Sequence, residues 1–104
     1  MLATSIQDIL LLAISKAYEG QKNMYLMLEH IDSAVRKLEQ NNPHLRRLSG
    51  RTASALIELD NQKLIHIDRG RVGLTEAGKR VCQDLELPTD WSDLPETIRR
   101  YMYR

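Results

Sequence analysis

Ile65-His66-Ile67-Asp68-Arg69-Gly70-Arg71-Val72-Gly73-Leu74 is the stretch on which the fold of this chain turns. Aliphatic residues alternate with polar or small ones on both sides of Arg69-Gly70, the pattern of two strands joined by a two-residue turn. Glycine at the second turn position accepts the positive φ that a tight hairpin demands. A loop of that length sets Ile67 opposite Val72, Ile65 opposite Leu74 and His66 opposite Gly73. All four aliphatics then share one face, as a half-buried ribbon requires, and a one-residue slip would scatter them. Arg69 and Arg71 bracket the tip.

The flanking sequence reads as helices. Downstream, Thr75 caps a helix with Ala77, Val81 and Leu85 as its expected inner stripe, ending before Pro88. Upstream, a helix from Ser49 or Gly50 to about Gln62 turns Thr52, Ala55, Leu56 and Leu59 inward. Its outer face carries Gly50, Ser54 and Asn61, flanked by Arg51, Ile57 and Glu58. An earlier helix, from a cap at Asn23 to about Gln40, has the seam Met24, Leu28, Ile31, Val35 and Leu38, and Asn41-Asn42-Pro43 ends it. Residues 44–48 are expected to form a short helical turn that buries Leu45 and Leu48. The first helix starts at Ser5, with Asp8 completing a capping-box-like pair, and stops at Gly20. Leu11, Leu12 and Ile14 make it apolar beyond one stripe. After a linker at 88–91, Ser92 or Asp93 caps a last helix with Pro95 early in it and Leu94, Ile98, Tyr101 and Met102 on one face.

The expected class is therefore α+β, mainly α with a small β-hairpin. The order is three helices, two strands and a helix, plus a C-terminal helix. Residues 1–87 form one domain, and 88–104 a linker and helix suited to dimerisation. At 104 residues the chain has room for one core. The lone Cys82 cannot form an internal disulfide or a multi-cysteine zinc site. His30, His44 and His66 lack ligand spacing, so no metal or cofactor is expected. No apolar run approaches the roughly 18 residues of a membrane span, and Asp8 before the first apolar run argues against a signal peptide. A cytoplasmic protein is expected.

Charge is uneven. The net +1 conceals a segment at 46–80 that carries +4, between flanks of −1 and −2. A basic stretch in a near-neutral chain suits one face that meets a polyanion.

The segment Leu56-x-x-Leu59, Leu64-Ile65, the hairpin, then Val72-Gly73-Leu74-Thr75-Glu76-Ala77-Gly78-Lys79-Arg80 resembles the recognition-helix, wing and post-wing region of MarR- and PadR-type transcription regulators. The resemblance spans roughly residues 50–85. It implies a winged helix-turn-helix fold and binding of double-stranded DNA by the third helix and the wing.

On that reading Arg69, Gly70 and Arg71 form the wing tip, its guanidinium groups aimed at phosphates or a narrow minor groove. Ser54, Asn61 and Arg51 would meet base edges, and Ile57 a thymine methyl. Arg46, Arg47 and Lys63 would position the backbone. Leu11, Leu12, Leu94, Ile98, Tyr101 and Met102 would form a homodimer interface, unless the last helix folds back onto its own core. Arg71 paired with Asp68 on a solvated hairpin is the bland alternative. A second functional class, a protein-interaction module on the same fold, is favoured by Glu58 and Asp60. Cys82 is expected buried, with a redox role less expected. No catalytic constellation is present, so an enzyme is not expected.

Overall fold

The computed structural model describes residues 1–21, 24–45 and 49–102. Its centre is α1 (Ile6–Tyr18), in which Ile9 to Ile14 and Ala17 are all buried. Ser5 caps it, its hydroxyl accepting from the Asp8 N–H at 3.1 Å. A helix apolar on several sides is stable only when wrapped, and α1 packs against α3 (Thr52–Asn61), α4 (Glu76–Cys82) and α5 (Leu94–Arg99). Full burial of Leu10, Leu11 and Ile14 is worth about 1.5–3 kcal/mol for each side chain.

The hairpin has the expected register. In β2 (Ile65–Asp68) and β3 (Arg71–Leu74), Ile65 faces Leu74, His66 faces Gly73, Ile67 faces Val72 and Asp68 faces Arg71. Ile65 and Val72 are buried, and Ile67 and Leu74 pack against the same core. Arg69 (φ 53°) and Gly70 (φ 81°) both have positive φ, the mirror-image turn whose twist matches that of the flanking strands.

The element order differs from the expected one. A third strand, β1 (Leu26–Met27), precedes α2 (Leu28–Asn41) and pairs antiparallel with β3, giving the sheet order β1-β3-β2. The second helix thus starts at Leu28, not at Asn23, which lies outside the described residues. His30 fixes the start, its Nδ1 accepting from the Met27 N–H at 3.0 Å. Leu28 N–H is taken by the Gly70 carbonyl at 2.8 Å, so helix start and hairpin tip are joined. Ile31, Val35 and Leu38 form the buried seam as expected, while Met24 precedes the helix and is half-buried.

On α4 the expected stripe is displaced by one residue. Ala77 and Val81 are exposed, Leu85 lies beyond the helix, and Gly78 and Cys82 face inward. Thr75 accounts for the rotation. Its hydroxyl accepts from the Gly78 N–H at 3.0 Å and lies 2.7 and 3.0 Å from the Lys63 and Leu64 carbonyls. That draws the helix backbone onto the turn after α3, where a Cβ on residue 78 would sit 2.1 Å from the Leu64 oxygen.

The C-terminal segment takes the folded-back course. Trp91, Leu94, Ile98 and Met102 belong to the same core as α1, with Tyr101 half-buried against it. Leu11, Leu12, Leu94, Ile98 and Met102, expected at a dimer interface, are therefore covered within one chain. Arg99 secures the join by donating to the carbonyls of Lys16 and Ala17 at the C-terminal end of α1, where a cation also complements the helix dipole. No helix among the described residues is long and apolar enough to cross a membrane.

Candidate nucleic-acid interface

Arg69 is exposed in the turn at the hairpin tip, and Arg71 is exposed at the start of β3, which β1 and β2 pair from both sides. Arg71 makes no ion pair with the opposing Asp68; among the described residues its guanidinium instead lies 4.2 Å above the Tyr25 ring. Such a stack holds the cation in place without neutralising it.

Tyr18 braces this corner from below. Its hydroxyl donates to the Val72 carbonyl and accepts from the Leu26 N–H at 3.1 Å, bridging the two strands. Burial pushes its pKa up, against the opposing effects of the Leu26 N–H and the Arg71 charge. The phenol therefore stays neutral and able to donate.

Lys63 occupies a second special position. Lys63 N–H bonds to the Asp60 carbonyl and Leu64 N–H to the Leu59 carbonyl, each at 3.0 Å. This double closure of a helix end usually places glycine at the left-handed residue, yet Lys63 stands there at φ 61°. Among the described residues, Lys63 and Arg69 are the non-glycine residues with positive φ. They flank β2 at its two ends, and both are exposed cations.

The outer face of α3 presents Ser54, Ile57, Glu58 and Asn61, with Arg51 exposed just before it. Thr52, Ala55, Leu56 and Leu59 face inward as expected. Ser54 is partly committed, its hydroxyl donating to the Arg51 carbonyl at 3.1 Å. Ile57 stands apart from the polar ridge, beside Leu28, Glu29, Asp32 and Ala53 on the flank towards α2. Arg46 and Arg47 lie outside the described residues. His66 is exposed, as expected for the outer face of the hairpin.

Tyr25 and Tyr18 are absent from the sequence-derived site. One signal bore on Tyr25: Tyr25, Leu26 and Met27 fall off the helical seam; the burial of Leu26 and the role of Tyr18 come from the fold. Cys82 is buried beside Ser15, and burial pushes its pKa up, the reverse of what a reactive thiolate requires. No group of three or more metal-ligating side chains converges among the described residues. Comparison of the chain with protein-family models, with curated proteins and with solved structures finds no match in any of the three.

Proposed function

We propose that the chain is a winged helix-turn-helix protein that binds duplex DNA and regulates transcription, with the hairpin as its wing. One observation carries the reading. Each left-handed position at the ends of β2 would be occupied more cheaply by glycine or asparagine, and each holds an exposed cation, Lys63 and Arg69. Conformational cost tolerated in a side chain that makes no core contact argues for a role of that side chain. With Arg71 they supply exposed cations suited to phosphates and a narrow minor groove.

Arg51, Ser54 and Asn61 supply the share of α3, with Gly70 letting the backbone approach closely at the tip. Ile57 is set apart from this surface, beside Leu28, Glu29 and an Asp32 that pairs with Arg36. A homodimer built on the apolar residues of α1 and α5 would have to open the core, so the unit proposed to meet DNA is a single chain. The protein-interaction reading gains from the exposure of Ile57.

A mobility-shift titration on random duplex fragments at about 50 and 200 mM salt tests the proposal. Retardation that weakens steeply with salt is expected from counterion release. Converting Arg69 and Arg71 together to alanine should shallow the slope by about one to two phosphate equivalents. A folded protein that retards no duplex at low salt would overturn it.

A further inference from the structure

Asp68 and Arg71 stand directly opposite each other on the outer face of the hairpin, and both are exposed. A carboxylate and a guanidinium so placed ordinarily pair across the strands. Among the described residues neither is in an ion pair, and the guanidinium lies instead over the Tyr25 ring, 4.2 Å from its centroid. Tyr25, Asp68, Arg69 and Arg71 line one hollow beside the tip, so the carboxylate that Arg71 forgoes is close at hand. Strand β1 carries the ring into place. Met27 pairs with Arg71, the Leu26 N–H donates to the Tyr18 hydroxyl, and the Leu28 N–H donates to the Gly70 carbonyl.

We propose that Tyr25 is a positioning residue, whose ring draws the Arg71 guanidinium away from the Asp68 carboxylate and leaves that cation available to a phosphate. Two weak contacts compete for one side chain. An exposed cation–π stack and an exposed ion pair each shift a balance by no more than about fivefold. Removing the ring is therefore enough to let Arg71 turn to Asp68. The two arrangements differ in charge. A guanidinium stacked by its face keeps its charge and its edge donors, whereas the ion pair neutralises it and occupies its fork. The phosphate half of this assignment rests on the DNA-binding reading; the placement of Arg71 by Tyr25 involves no ligand.

Salt titrations of mobility shift on a short duplex, with the full chain and its variants, give the first readout. Tyr25→Leu should shallow the salt slope by about one phosphate equivalent, as Arg71→Ala does, while Tyr25→Phe keeps it. Asp68→Asn added to Tyr25→Leu should restore the slope. Its gain in affinity should be at least about twofold larger in that background than in the parent. A tyrosine needed only for folding would not be rescued by an asparagine across the hairpin. Nuclear magnetic resonance of the Arg71 δ protons is the second readout: a ring-current shift upfield in the parent and in Tyr25→Phe, and its loss in Tyr25→Leu. Tyr25→Thr, β-branched and suited to a strand, takes the place of a leucine variant that does not fold. An Arg71 signal without the upfield shift in the parent, a parent-like salt slope in Tyr25→Leu, or an equal gain from Asp68→Asn in both backgrounds would overturn the proposal. A parent that retards no duplex would overturn the DNA reading and the phosphate role with it, while the Arg71 shifts still decide whether Tyr25 places the cation.

Discussion

The Tyr18 hydroxyl donates to the Val72 carbonyl, tying the last residue of α1 to the central strand of the sheet. The same oxygen receives the Leu26 N–H, so one phenol bonds both strands of the β1–β3 pair. Tyr18→Phe should cost about 1–3 kcal/mol, because it leaves a partly buried donor and acceptor without partners. Denaturant unfolding of the two proteins measures it.

Alkaline pH should separate the same two proteins. Burial places the Tyr18 pKa above that of the unfolded chain. Its contribution is complete below the unfolded value, near pH 10, and is lost as pH rises through the folded value. The stability advantage of the parent over Tyr18→Phe is expected to be constant from neutral pH to about 9 and to shrink above about 10. An advantage that grows above pH 10 would contradict this assignment.

Arg69 should trade stability for binding. Replacing it with asparagine or glycine relieves the left-handed strain at φ 53° and is expected to stabilise the fold by about 0.5–1 kcal/mol. The same change should weaken retention of duplex DNA at low salt. Thermal melts and mobility shifts on one preparation give both numbers, and a variant that loses stability would refute the strain argument.

Gly78→Ala is expected to be severe. The new methyl would overlap the Leu64 carbonyl and force α4 off the turn that Thr75 holds, at a cost of roughly 3 kcal/mol or more. Gly50→Ala is the control, since nothing lies within 4 Å of the added carbon. A melting temperature for Gly78→Ala equal to that of Gly50→Ala would show that the close approach is not needed.

Arg99→Ala should loosen the C-terminal segment. It removes the donors to the Lys16 and Ala17 carbonyls and the cation at the end of α1, together worth about 1–2 kcal/mol. Faster amide exchange at residues 94–102 than in Arg99→Lys is the expected signature, since lysine keeps the charge but not the planar fork.

Cys82 should resist alkylation by iodoacetamide at pH 8 in the folded protein and react readily in denaturant. Burial and the upward shift of its pKa both suppress the thiolate.

The sequence alone determined what is settled within a few residues. The hairpin register follows from four aliphatics and one glycine. The Ser5 and Thr75 caps, and the inner face of α3, follow from helical period and capping chemistry, because each depends on neighbours within two turns of chain. Tertiary structure decided the rest. Strand β1 is two residues long and pairs with a strand far along the chain, Leu26 with Val72, too short to leave a period in the sequence. The rotation of α4 onto Gly78 depends on the Leu64 carbonyl, which no pattern in α4 can announce. The Arg71–Tyr25 stack and the fold-back of α5 were likewise fixed by which surfaces meet. Local pattern sets which side chains are apolar, whereas the partner that covers them is chosen only when distant elements compete for the same buried area.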